Sequence, residues 1–213
     1  MSELFLSALV TFFVVIDPPG CAPIFAGLTR GTDMAHRTAM AVRSTLVAGA
    51  ILLTFALLGE PLLRTLGISL DAFRIAGGIM LFLIALEMVF ERRTERREDR
   101  AEKVKAEEPT DISIFPMAMP MIAGPGSIAS VMLLMSQTSG MAATATVLAA
   151  MLAILALTLG ALLAAGPLMR LVGARIEAVV SRLLGVLLGA LATQFVIDGI
   201  RASLIAGRAA AGQ

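Results

Sequence analysis

Ile16-Asp17-Pro18-Pro19-Gly20-Cys21-Ala22-Pro23 interrupts an apolar run over residues 4–28, and Pro120-Met121-Ile122-Ala123-Gly124-Pro125-Gly126-Ser127 interrupts another over 112–135. Both runs are long enough to cross a bilayer, since ~20 residues rising ~1.5 Å each span a hydrocarbon layer ~30 Å thick. Proline removes a backbone donor and clashes with the carbonyl four residues back. It also pushes the residue before it out of the helical region. A helix should therefore break at Pro18-Pro19-Gly20 and again at Gly124-Pro125-Gly126. Lipid cannot satisfy the freed backbone groups, so they must be buried in protein or line a cavity.

The rest of the chain supports a membrane setting. Of its 213 residues, 58% are hydrophobic and 15% charged, with a mean hydropathy of +0.89. Soluble domains are about half apolar and about a quarter charged. Four further apolar stretches, 38–58, 73–90, 142–163 and 179–200, bring the expected spans to six. Their Leu, Ala, Met and Gly content favours helices over barrel strands, which would alternate with polar lumen residues. The first stretch follows Met1-Ser2-Glu3 with no basic region ahead of it, so it is read as a span and not as a cleaved signal. The chain has no Trp or Tyr, which leaves Phe to serve at the interfaces. The lone Cys21 excludes an intrachain disulfide, and the formal charge of +1 gives no hint of nucleic-acid binding.

With six spans, both termini share one side. The loops after spans one, three and five carry Arg30, Arg37, Arg43, Arg92, Arg93, Arg96, Arg97, Arg100, Lys103, Lys105, Arg170, Arg175 and Arg182; the terminal side carries only Arg64, Arg74, Arg201 and Arg208. Basic residues in short loops stay cytoplasmic. The termini are thus expected outside, in the periplasm of a bacterial inner (plasma) membrane, and the loop 91–111 inside. That loop carries seven basic and eight acidic residues. It is expected to be a solvated linker, helical at most at its start.

The sequence also repeats. Pro61-Leu62-Leu63-Arg64-Thr65-Leu66-Gly67 returns as Pro167-Leu168-Met169-Arg170-Leu171-Val172-Gly173. Pro19-Gly20 matches Pro125-Gly126, and Arg74 with Gly77 matches Arg182 with Gly185. Three matches in order, at nearly constant offset, indicate an internal duplication. Each unit holds three spans, so the second copy enters the membrane from the opposite side. The expected fold is an all-α integral membrane protein, with six transmembrane helices in two inverted three-helix repeats (4–90 and 112–200) joined by the linker 91–111. Interrupted helices at corresponding places of inverted repeats are the pointer to a transporter site near the midplane.

Asp17, Pro18, Pro19 and Gly20, with Gly124, Pro125, Gly126 and Ser127, are therefore the candidate substrate-binding residues. Asp17 lies about 20 Å along span one, at ~1.5 Å per residue. A charge at that depth usually faces a cavity or a partner. Asp before Pro is equally a helix start, with Asp as N-cap; the two roles can coexist. Ala123-Gly124 has no carboxylate, so the second break presents bare amide donors suited to an anion. A small zwitterion would satisfy both breaks. Gln194, read as buried in span six, with Asp198, Arg74 and Arg182, are secondary candidates. Snorkelling to the interface is the competing reading for Asp198, Glu87 and the two arginines.

The same residues carry a family likeness. Asp17-Pro18-Pro19-Gly20-Cys21-Ala22-Pro23-Ile24-Phe25 resembles the D-P-x-G-x-x-P-x-F signature of the MarC family, named for multiple antibiotic resistance. Ala72 to Ile79, Pro116 to Gly126, and Ile197-Asp198-Gly199-Ile200 resemble its third, fourth and closing segments. Pro19 stands where the family more often has an aliphatic residue. The resemblance implies a six-span inner-membrane protein with external termini, and transport of small neutral amino acids such as glycine and alanine.

The leading expectation is a secondary transporter for a small neutral amino acid, with proton or sodium coupling left open. The alternative is a membrane scaffold or stress-response protein that transports nothing. No P-loop, H-E-x-x-H or G-x-S-x-G occurs, so a primary pump or an enzyme is not expected. Neither a cofactor nor a metal is expected. The partners expected are membrane lipids, the zwitterion and a coupling ion.

Overall fold

The computed structural model describes residues 2–106 and 111–211, and the side chains of these except 94, 105, 106, 168–178 and 206–211. The linker residues 107–110, and the side chains of Lys105, Arg170, Arg175 and Arg208 used in the charge count, lie outside the described set. Among the described residues there are helices and connecting turns and no strand.

Span one is two helices, α1 (Ser2–Ile16) and α2 (Pro18–Leu28), hinged at Asp17. Next come α3 (Met34–Thr65) and α4 (Leu70–Val89). Asp33 and Ser69 cap their starts by accepting from His36 N at 2.7 Å and Ala72 N at 3.1 Å. The Asp33 cap explains why α3 begins before the apolar stretch at 38. Glu91, at φ 61°, turns the chain into α5 (Arg92–Ala106). An irregular coil over Ser113–Ile122, non-helical at Phe115, Met119 and Pro120, leads to α6 (Pro125–Ser136), and the two are bent 52° apart. The chain ends with α7 (Met141–Leu163) and α8 (Ala165–Ala211), whose apolar part is Val179–Ile205. Among the described residues five spans are long and apolar enough to cross a membrane, or six if the bent pair is one span. This is the all-α integral membrane fold expected.

Two sequence expectations need correcting. The polar loop is not a solvated linker: Arg92–Ala106 is one continuous helix, and its Val104 and Arg97 are buried. The loop expected between spans five and six shrinks to a turn at Ala164, and the repeated Pro167–Gly173 motif is helical within α8.

Span one holds the centre, with Phe12, Val14, Ile16, Cys21 and Phe25 inaccessible to solvent. Around it, α4 and α8 lie against each other along small residues. A Cβ on Gly78 would come within 2.8 Å of the Ala192 carbonyl, and one on Gly185 within 3.1 Å of the Ala85 carbonyl. Small residues let membrane helices approach this closely, which compensates for the missing hydrophobic drive between helices in lipid. Leu46, Leu53, Leu57, Leu83, Leu183 and Val186 point outward and are exposed. A belt of that kind would drive association in water and fits acyl chains in a bilayer.

Candidate functional site

At the first break, α1 ends when Asp17 N–H donates to the Phe13 carbonyl at 3.0 Å. Asp17 then takes a left-handed conformation, φ 61° and ψ 64°. Asp is one of the few side chains that tolerate this region, because its short polar group bonds locally. Here its Oδ1 accepts from Gly20 N–H at 3.1 Å, and Pro18 and Pro19 fill the first helical positions of α2. A Cβ at Gly20 would sit 2.3 Å from Asp17 Oδ2, so the cap itself demands glycine.

The second carboxylate oxygen is also engaged. Arg97 donates to Asp17 Oδ2 at 2.9 Å, with the two side chains only 10% and 5% exposed. One turn earlier on α5, Arg93 donates to the Val15 carbonyl at 2.6 Å. Arg93 thus covers an acceptor freed at the end of α1. Burial and the neighbouring Arg97 push the Arg93 guanidinium down to about 10, so it stays charged at neutral pH.

The second break is bare. Gly124, extended at φ −76° and ψ 172°, precedes Pro125 and offers no side-chain cap to α6. Ser127 instead turns back, its Oγ donating to the Ile122 carbonyl at 2.7 Å. The amides of the first α6 turn therefore hold the positive end of the helix dipole without a capping acceptor. The two breaks touch. A Cβ on Gly126 would lie 3.2 Å from Val15 Cγ1 and 2.5 Å from Ile84 Cδ1. Beside this contact lies a cavity of about 350 Å³, walled by Gly124–Ser127, Val15 and Glu87, and by Arg93, Arg96, Arg97 and Arg100 of α5.

The model of the MarC family integral membrane proteins matches residues 2–204, almost the whole chain. The chain belongs to the MarC family. It is similar to a UPF0056 membrane protein of Methanocaldococcus jannaschii, 38% identical over 203 residues that cover 95% of this chain and 98% of the relative. It is also similar to the UPF0056 inner membrane protein YhgN of Escherichia coli, 34% identical over 201 residues, 94% of this chain and 98% of that protein. A UPF0056 membrane protein of Bacillus subtilis, YvbG, is 31% identical over 202 residues, 94% and 96% of the two chains. No solved structure matches.

In this MarC-family chain the primary candidates gather in two adjoining places. Asp17, Pro18 and Gly20 are buried at the first break; Gly124, Gly126 and Ser127 are buried at the second, with Pro19 half-buried and Pro125 exposed. The secondary candidates lie elsewhere. Arg74 donates to the Ser136 carbonyl at 3.0 Å, closing the far end of α6, and sits 3.6 Å from Asp71. Arg182 pairs with Glu91. Gln194 is exposed, not buried as its apolar span suggested, and donates to Asp198 at 2.8 Å one turn along α8.

The residues that sequence reasoning missed are Arg93 and Arg97. A signal for them exists. Arg93, Arg96, Arg97 and Arg100 recur at helical spacing on one face of α5, while Glu95, Glu98, Asp99 and Glu102 occupy the other. Net charge, which is near zero, conceals that segregation.

Proposed function

We propose that this MarC-family protein is a secondary transporter of the inner (plasma) membrane for a small neutral amino acid of glycine or alanine type. The observation that carries the reading is the contact between two broken helices from corresponding places in the chain, one presenting a carboxylate and the other uncapped amides. Broken helices that meet in this way favour a transporter built from inverted repeats. The first turn of α6 receives the substrate carboxylate, and Asp17 receives the ammonium group. On this reading the Arg97 guanidinium stands in for that ammonium group at Asp17. Substrate enters when Arg97 withdraws, and a proton or sodium ion couples the movement. The excess of basic residues around α5 favours a cytoplasmic α5 with both termini outside.

A second reading, a scaffold without transport, is favoured by one observation. Both Asp17 oxygens already have partners within the protein. Reconstitution separates the two. Purified protein in proteoliposomes should take up labelled glycine or alanine above empty vesicles when a proton or sodium gradient is imposed. Folded protein that moves no small neutral amino acid under either gradient would favour the scaffold.

A further inference from the structure

The arginine face of α5 is more than a partner for the first break. Four guanidinium groups line the cavity, and two carboxylates balance two of them: Glu87 lies 2.8 Å from Arg96, and Asp17 takes Arg97. Among the described residues Arg93 donates to neutral acceptors, the Val15 carbonyl and the Met88 sulfur at 3.1 Å. Arg100 has no ion pair among the described residues. Two positive charges are therefore left over in a half-enclosed space, and the uncapped start of α6 adds about half a charge of the same sign. Clustered like charges are unfavourable unless an anion joins them. The acidic residues of α5 lie on its exposed face and do not neutralise the cavity.

We propose that this cavity binds a phosphate group, carried by an anionic lipid headgroup or present as free phosphate. Phosphate brings between one and two negative charges and several acceptor oxygens, which matches planar guanidinium forks offered from more than one side. The volume, about 350 Å³, is that of a small-ligand site. The apolar part of the lining points to the lipid source. It includes Met80 and Leu83 of α4, which are 41% and 55% exposed. A headgroup among the arginines could continue as acyl chain over these residues, and basic pockets between membrane helices suit such headgroups. The proposal shares the α6 start with the transport reading but rests on the arginines, and it is read out as binding and not as uptake.

The test uses the purified full-length protein in detergent with three probes: dioctanoyl phosphatidic acid, dioctanoyl phosphatidylcholine and inorganic phosphate. Binding is measured by native mass spectrometry and by thermal melting. Phosphatidic acid should bind well above phosphatidylcholine. Arg96→Gln/Arg100→Gln should weaken it at least about tenfold. Glu87→Gln, which removes a competing carboxylate, should tighten it; a misfolded variant would not bind more strongly. If the double variant is unstable, Arg100→Gln alone serves, since among the described residues that side chain has no ion pair to lose. Inorganic phosphate that binds the wild type as tightly as the lipid, with the same dependence on these arginines, would support the site and assign it to free phosphate. Equal binding of phosphatidylcholine and phosphatidic acid would overturn the proposal. So would phosphatidic acid and phosphate binding that ignores Arg100 and Glu87.

Discussion

The Asp17–Arg97 pair can be measured by a double-mutant cycle. Asp17→Asn keeps an oxygen for Gly20 N–H, and Asn caps a helix about as well as Asp, so the cap contributes little to the change. What is lost is the charge that faces Arg97 at 2.9 Å, with both side chains nearly covered. Breaking a buried pair by removing one partner costs about 3–5 kcal/mol, because the other charge stays behind unpaired. Arginine is long enough for Arg97 to swing partly toward water, which places the expected loss near the lower end, about 3 kcal/mol. Arg97→Met should cost a similar amount, because it strands the carboxylate instead. The double variant Asp17→Asn/Arg97→Met has no stranded charge and should recover most of the loss, giving a coupling energy of about 2–4 kcal/mol. Asp17→Ala should cost about 1 kcal/mol more than Asp17→Asn, since it removes the cap as well. Reversible denaturation in micelles, run on all four corners, supplies the numbers. A coupling energy below about 0.5 kcal/mol would be that of a solvent-exposed ion pair and would refute the view that α5 is locked onto the first break.

The remaining predictions concern packing, acid stability and orientation. Gly78→Ala forces a Cβ against backbone, the Ala192 carbonyl and Val196 N at 2.8 and 3.0 Å, and should destabilise by about 1–3 kcal/mol in the same denaturation assay. Gly126→Ala meets the flexible end of Ile84 and should cost less than about 1 kcal/mol, while Gly126→Val should abolish uptake by filling the approach to the α6 amides. The Ser113 hydroxyl bond, helped by Arg43, holds the Asp111 carboxyl below its ordinary value against a smaller opposing effect of burial. A depressed pKa means stability that is present above the ordinary value of 3.8 and lost as pH falls through the folded one. Asp111→Asn should therefore flatten the acid limb of the melting profile, and an unchanged limb would assign it to other carboxylates. Single cysteines at Ala106 and Ala210, on a Cys21→Ala background, should show only position 210 labelled by an impermeant thiol reagent in intact cells; the opposite pattern would reverse the orientation.

The spans and both breaks were legible because each depends on local composition. An apolar run has to be about 20 residues long to cross, and Pro-Pro-Gly or Gly-Pro-Gly breaks a helix wherever it falls. Asp17 was legible as a cap for the same reason, since its bond to Gly20 is three residues away. Its second partner was not, because Arg97 lies 80 residues along the chain and only the fold brings them together. Summing charge over 91–111 averaged away the one property of that segment that decides its position, the angular separation of its arginines from its acids. Gln194 failed in a different way. An amide in an apolar span looks as though it must be buried, but Asp198 one turn away meets its hydrogen bond along the same helix, so it needs no partner in the bundle.

The two breaks are satisfied by different means. At the first, three polar groups freed by the break are each met: the Gly20 amide by Asp17, the Asp17 charge by Arg97, and the Val15 carbonyl by Arg93. Two of those three partners stand on one face of α5, a single turn apart. At the second, Ser127 satisfies the Ile122 carbonyl while the α6 start keeps its donors uncapped. The difference lies in α5, which supplies two partners to the first break and no capping acceptor to the second. Because Arg93 and Arg97 ride on one helix, a movement of α5 away from the break would withdraw both. Freeing the Asp17 carboxylate for a ligand then also uncovers the Val15 carbonyl, and Val15 lines the same cavity as the α6 start. Opening of α5 would thus present a carboxylate, a carbonyl and a set of amides to the same space in one movement. On that account Arg93→Gln and Arg97→Gln should act as one perturbation: the double variant should change uptake little more than the stronger single variant, whereas additive effects would mean that the two arginines release independently.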